Sequence, residues 1–245
     1  MYYNKYYKLL VVFSIIILTF VSVVCGSEDS KHLFILSGQS NMVGLKQEVS
    51  FTPVILKEFS EKSVIIVKDA HSGQSIRSWC KVNKEHPLPT KGRIPKVRGN
   101  LYGPLMKKVL TAIKDVKLKT VTFVWMQGES DLRNTAYKAY LEELMQQLKK
   151  DIKFKDINLV LGRISDCGLN SEKRLKERLN IRKIQVEFIE SYPNGIWIDT
   201  DDLNNREKDG KVYDDLHYTP EGYKILGERF AKASIELVKK NGFNK

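Results

Sequence analysis

The sequence predicts an α/β fold, a five-stranded and mainly parallel sheet covered by helices on both faces. Three observations predict it. Short apolar runs rich in β-branched residues alternate with longer stretches of helical character along the 245 residues. The apolar runs are nearly continuous rather than interrupted at every second residue, as strands buried on both faces are. Each run is followed by a polar cluster, as expected where a site collects beyond the carboxyl ends of parallel strands.

Taken in order, the strands are read over His32–Leu36, Ser63–Val67, Thr120–Met126, Ile157–Ile164 and Gly195–Asp199. Between and after them, Gly103–Lys114, Thr135–Lys150, Ser171–Ser191 and Pro220–Lys240 read as helices. The last has the clearest start: Thr219 as N-cap, then Pro220 at the first helical position, where its missing N–H costs nothing. Right-handed crossovers then place all the strand ends on one edge. Ser40 follows the first strand, Gly73 the second and Gln127-Gly128-Glu129 the third. Arg163 to Asp166 close the fourth strand and Asp199 to Asp202 the fifth.

Length suits one large domain over residues 27–245, because one core suffices at this size. Residues 1–26 read as a signal peptide: Lys5 and Lys8, an apolar run from Leu9 to Val24, then small residues at Cys25, Gly26 and Ser27. An uncleaved membrane anchor is a rival reading, since the apolar run approaches the lower limit for a membrane span; lipid attachment at Cys25 is a second and ranks behind cleavage, because Val24 is bulky beside Cys25. All three place the domain outside the cytosol, secreted or at the cell surface or periplasm.

The formal charge is +12, and removing residues 1–26 takes two lysines and no acid, leaving +10. A run from Lys81 to Arg98 carries six basic residues against Glu85 alone, with Pro87, Pro89, Gly92 and Pro95. It reads as a basic loop, more often a solvated surface than a patch for acidic polymer or membrane. No zinc-knuckle, RNA-recognition or helix-turn-helix signature accompanies the charge, so nucleic acid is not an expected partner. Cys80 and Cys167 are too few for a disulfide scaffold; a single bridge between them stays open. The four histidines are scattered and there is no His-Glu-x-x-His, so neither metal nor cofactor is expected.

Acyl transfer needs a nucleophile with a base, donors for the oxyanion and a group that orients the base. Ser40 sits in Gly38-Gln39-Ser40-Asn41-Met42, and Asp214-Asp215-Leu216-His217 lies just before the last helix. In this reading Ser40 attacks, His217 is its base and Asp214 orients the imidazole through a single turn. The Ser40 amide, Gly73 and the Gln127 side chain supply oxyanion donors. Glu129 is a second carboxylate able to fill or share the role of Asp214, and Asn41 braces the turn. Met42 stands where an α/β-hydrolase elbow would have its second glycine. Gly38 to Gly44 lacks phosphate-loop spacing, so nucleotide hydrolysis is unsupported.

These strings, with Gly73 before Ile76-Arg77-Ser78-Trp79 and with Trp125-Met126-Gln127-Gly128-Glu129-Ser130-Asp131, resemble the SGNH (GDSL-like) hydrolase superfamily. Within it they resemble the branch of sialate O-acetylesterase-like and family six carbohydrate esterases. The resemblance spans about residues 32–236. It implies a three-layer α/β/α sandwich of flavodoxin-like type and cofactor-free removal of O-acetyl groups from carbohydrates such as acetylated polysaccharide or sialic acid. By motif position it carries Ser40, Asp214 and His217 as the triad and Gly73 and Gln127 as oxyanion donors. Gln127 replaces the asparagine of the wider superfamily, as in that branch, whereas Met126 departs from the histidine or tyrosine many branch members have.

Trp79, Tyr102 and Arg163 are the substrate-contact candidates, each with a structural alternative: core packing, a loop anchor and an internal ion pair. The alternatives to a carbohydrate acetylesterase are a lipid or aryl esterase of the same fold and a non-catalytic carbohydrate-binding relative.

Overall fold

The computed structural model describes residues 30–81, 99–169, 172 and 174–242, with residues 208, 212, 214 and 242 described by backbone alone. The N-terminal segment read as a signal peptide, and the basic loop apart from Lys81, lie outside the described residues. No helix among the described residues is long and apolar enough to cross a membrane.

Five strands form the main sheet: β1 (Lys31–Gly38), β2 (Val64–Ala70), β3 (Leu118–Met126), β4 (Asn158–Gly162) and β5 (Gly195–Ile198). Their spatial order is β2-β1-β3-β4-β5 and every pairing is parallel. Because successive side chains point to opposite faces, the apolar runs serve two cores at once. Leu33, Ile35, Phe123, Trp125, Leu159 and Leu161 face one helical layer. It comprises α3 (Tyr102–Ala112), α4 (Tyr137–Ile152) and α5 (Leu175–Glu190). Phe34, Leu36, Val124, Met126 and Val160 face the other. That layer is built from α1 (Ser40–Gly44), α2 (Gln47–Glu58) and α6 (Pro220–Gly242). The result is the expected three-layer α/β/α sandwich.

Thr219 caps α6 as expected, its Oγ1 accepting the Gly222 N–H at 3.0 Å. Two elements were not expected. Helix α2 contains Pro53, whose missing N–H argues against a helix in sequence, yet its Phe51 and Ile55 are fully buried against α6. A second, two-stranded sheet joins β6 (Asn205–Lys208) to β7 (Lys211–Asp214) through a two-residue turn. Its Asp209 and Gly210 both have positive φ, the conformation that such a tight hairpin requires. No disulfide joins Cys80 and Cys167, so the bridge left open does not form.

Candidate active site

The order β2-β1-β3-β4-β5 reverses direction between β1 and β3, and crevices open at such switch points. There the two strand ends are in contact. Gly38 has φ 144°, and a Cβ on it would overlap the Met126 carbonyl oxygen, so only glycine allows the approach. The Gln39 N–H then donates to the Met126 carbonyl at 2.8 Å, and the His71 N–H to the Gly38 carbonyl at 2.9 Å. The chain turns at once into α1, with Ser40 as its first residue, partly exposed. An amide in a first helical turn has no intrahelical acceptor, which leaves it directed at whatever lies before the helix.

Three loops are laced to this turn by buried side chains. Gln39 Oε1 accepts the N–H groups of Gly128 and Ser130 at 3.3 and 3.2 Å. Asp131, buried after β3, accepts from four donors: Ser75 Oγ at 2.7 Å, Ile76 N at 2.8 Å, Gln127 Nε2 at 2.6 Å and Asn134 Nδ2 at 2.8 Å. It thereby joins the Gly73 loop to the Gln127 loop. Gly73 itself is exposed, with φ 68° and nothing within 4 Å of the place a Cβ would take. The Gln127 carbonyl is fixed by Tyr137 Oη at 2.7 Å and Gln185 Nε2 at 2.9 Å.

Asn41 makes the third connection. Its Nδ2 donates to Glu129 Oε1 at 2.9 Å and to the Leu216 carbonyl at 3.1 Å, while its Oδ1 accepts from Tyr223 Oη at 3.1 Å. Both partners of the nitrogen are pure acceptors, which decides the orientation of the amide. Asn41 thus ties α1 to Glu129 and to the backbone beside His217. Burial pushes the Glu129 carboxyl above the ordinary glutamate range, against its own backbone hydrogen bond, the Asn41 hydrogen bond and the charges of Arg178 and His217. Its Oε2 is buried without a partner.

Asp214 closes β7 opposite Asn205, at the end of a hairpin that was not expected. The segment after it is held by Asp215 N to the Asn204 carbonyl at 3.2 Å and Asn204 Nδ2 to the Asp215 carbonyl at 2.9 Å. His217 is exposed, and its backbone N–H donates to Asp215 Oδ1 at 3.4 Å. Among the described residues, neither the Ser40 hydroxyl nor the His217 ring makes a hydrogen bond. The structure brings Ser40, Asn41, Glu129 and the His217 loop to one place, with no hydrogen bond between Ser40 and His217 among the described residues.

Several expectations change. Gln127, read as an oxyanion donor, has both N–H bonds committed, to Asp131 and to the Gln74 carbonyl at 3.0 Å, so it acts here as a brace of the Gly73 loop. Trp79 is fully buried, edge-on to Trp125 at 5.1 Å, and has no face to offer a sugar. Tyr102 is also buried; its hydroxyl donates to Asp151 at 3.0 Å while Lys81 lies over its ring. It is a loop anchor. Arg163 donates to Asp199 at 2.7 Å and Asp201 at 2.9 Å and covers Trp197, the internal ion pair of the two readings. Met126 packs wholly into the core beside α6. Conversely, the clamps Gln39 and Asp131 were missed as such although they stand inside the quoted strings; Arg178 and Tyr223 had no sequence signal at all.

The family model for "carbohydrate esterase, sialic acid-specific acetylesterase" matches residues 43–236, starting just past Ser40. No functionally curated protein is significantly similar in sequence. Among solved structures, a protein from Arabidopsis thaliana superposes with TM-score 0.60 at 18% identity, over 84% of this chain and 98% of its own. A carbohydrate acetylesterase from Xanthomonas citri gives 0.59 at 15% identity over 85% of this chain, which spans 56% of that one. An acetyl xylan esterase gives 0.51 at 14% identity, over 82% of this chain and 98% of its own. At these identities the likeness is one of fold. Together the switch-point serine, the sandwich around it and the family match over most of its length show that the chain belongs to the sialic acid-specific acetylesterase family of carbohydrate esterases, hydrolases on an SGNH-type fold.

Proposed function

We propose that the protein is a serine esterase that removes O-acetyl groups from carbohydrate. The observation that supports it is the lacing of the Gly73, Glu129 and His217 loops around Ser40 by Asp131 and Asn41. Ser40 Oγ attacks the acetyl carbonyl as its proton passes to His217. The oxyanion lies against the N–H groups of Ser40 and Gly73, with Gln127 holding the Gly73 loop in place. Collapse of the intermediate expels the sugar oxygen, protonated by His217, and leaves acetyl-Ser40. Water, deprotonated by the same imidazole, then releases acetate.

Asp214 orients His217 in this reading, and Glu129 shares the task. Its carboxylate already contacts Asn41, and its proton affinity responds to the charge of His217. Hydrolysis of a chromogenic acetyl ester, compared with the butyryl ester, tests the proposal. The acetyl ester should be preferred, and Ser40→Ala should lower kcat by at least about 10³-fold. Turnover indifferent to Ser40 sinks the assignment, and sugar binding without turnover moves the protein to the binding class.

A further inference from the structure

An open cavity of about 450 Å³ lies where β5 ends, lined by Trp197, Ile198, Asp199, Asp201, Asp202 and Arg229. That volume falls in the range of sites for small organic ligands. Trp197 and Ile198 give it an apolar wall, and the Arg163 guanidinium, 4.8 Å over the indole, holds the ring in place. Carboxylates form the rim. The side chains of Asp199 and Asp202 are 54% and 59% exposed, yet both are fixed. Arg163 holds Asp199 at 2.7 Å, and Arg229 grips Asp202 with its two terminal nitrogens at 2.7 and 2.6 Å. Asp201 is shared by Arg163 and Arg182. Three carboxylates thus face three guanidiniums, and the rim carries no net charge.

Two observations place this cavity beside Ser40. It opens beyond the carboxyl end of β5, as Ser40 stands beyond that of β1. Three strand spacings of about 4.8 Å separate the two strands, on the order of 14 Å. The rim also runs directly into the support of the His217 loop: the Leu203 carbonyl accepts the Thr219 N–H at 3.3 Å, and the Asn204 carbonyl accepts that of Asp215 at 3.2 Å.

We infer that this cavity is a subsite for an uncharged sugar unit of a glycan whose acetylated unit lies at Ser40, so that chains are preferred to short sugars. This rests on the acetylesterase reading above. A sugar ring has an apolar C–H face and a border of hydroxyls; the Trp197 wall takes the face and the carboxylates accept from the hydroxyls. Because the arginines fix those carboxylates beforehand, little ordering cost falls on binding. An anionic unit is disfavoured, since it would meet the exposed Asp199 and Asp202 while the guanidiniums are already engaged. A peptide strand is disfavoured as well. β5 is an edge strand, but Arg229 already donates to the Asp199 carbonyl at its end, at 2.9 Å.

The test uses two neutral backbones, β-1,4-xylan and β-1,4-mannan, each as a singly acetylated disaccharide and hexasaccharide, with the full chain and its Trp197→Ala and Asp202→Ala variants. The ratio of kcat/KM for hexasaccharide over disaccharide is the readout, because an effect carried through the His217 loop cancels in it. The wild-type ratio should be about tenfold or more on at least one backbone, fall close to one in Trp197→Ala and lie between in Asp202→Ala. If Trp197→Ala does not fold, the exposed Asp202 carries the test. A wild-type ratio near one on both backbones, or a ratio that neither substitution lowers, overturns the inference.

Calorimetric binding of the unacetylated hexasaccharides supplies a readout independent of turnover, with oligogalacturonate as the anionic control. Neutral binding that weakens about tenfold in Trp197→Ala, and by less than about twofold in high salt, supports the subsite even in a protein without esterase activity, which would sink only the acetylesterase reading. Tighter binding of oligogalacturonate than of either neutral chain overturns the inference. Equal kcat/KM on hexasaccharide and disaccharide sinks the subsite and leaves the esterase. Absence of both binding and turnover in the folded wild-type protein overturns both.

Discussion

Asp131→Asn is the substitution from which the structure predicts most. It changes one buried atom from acceptor to donor and keeps the shape. Each carboxylate oxygen of Asp131 receives two donors: Ser75 Oγ and Asn134 Nδ2 on one, Ile76 N and Gln127 Nε2 on the other. Whichever oxygen becomes NH₂, two donors then face a donor. Ser75 can rotate, but Asn134 cannot flip freely because its Oδ1 already accepts from Arg77 and Ala136. Gln127 can flip its free Oε1 toward the new amide, but only by releasing the Gln74 carbonyl, and Ile76 N has no alternative. Two hydrogen bonds to a charged group, at about 1.5–3 kcal/mol each, put the loss near 3–6 kcal/mol. For a chain of this size that lowers Tm by roughly 6–24 °C. Because the same bonds hold the Gly73 loop to the Gln127 loop, kcat on the acetyl ester should fall by about tenfold or more while KM changes little. Thermal melts and steady-state kinetics on one preparation decide it. A Tm loss of less than about 2 °C with kcat within about twofold of wild type would refute the claim that Asp131 builds the oxyanion wall.

Three further outcomes follow from buried groups elsewhere. Gly38→Ala forces a side chain into the Met126 carbonyl at φ 144°, so it should cost more than about 4 kcal/mol; a soluble variant with an unchanged urea midpoint would contradict this. His32 is held down to about 4, mainly by burial and further by Lys119. Its folded value lies below its unfolded one, so the stability it contributes is complete above pH 6.5 and is lost as pH falls toward about 4. That loss is on the order of 3 kcal/mol, and His32→Leu should flatten the urea midpoint against pH in this window. Glu129 is shifted the other way by burial, so its ionisation opposes folding as pH rises through its folded value. Glu129→Gln should therefore melt higher than wild type at pH 7, lose that advantage in acid, and show reduced esterase turnover; equal melting temperatures at pH 7 would argue against a buried carboxylate.

The main sheet was legible because a strand buried on both faces leaves an unbroken apolar run, and β1 and β3 are such strands. The proposed catalytic edge was legible for a related reason: Ser40 and Gln127 follow β1 and β3, and Gly73 follows the apolar run of β2. Helix α2 was hidden because Pro53 signals a break, whereas the burial of Phe51 and Ile55 against α6 outweighs one missing hydrogen bond. The β6–β7 hairpin was hidden by its polarity, although Asp209-Gly210 is a strong turn signal that pointed to it. Side-chain commitments were beyond reach. Nothing in sequence distinguishes a Gln127 amide free for substrate from one already bound to Asp131, or a Trp79 that stacks on sugar from one that packs on Trp125. Arg163 and Arg178 look alike until the positions of Asp199 and Asp201 show which is neutralised.

The hairpin has an effect on how the protein fails. In the proposed mechanism the nucleophile Ser40 is rooted in the interior sheet, whereas the orienting Asp214 ends a two-stranded ribbon whose described side chains from Asn205 to Tyr213 are all exposed. Such a ribbon has little stability of its own and is the kind of unit that opens well before a domain core does. Its opening separates Asp214 and His217 from Ser40 while the sandwich stays intact. Warming should therefore silence the catalyst reversibly at a temperature where the core is still folded, with amide hydrogens of residues 205–217 exchanging ahead of those of β1 and β3.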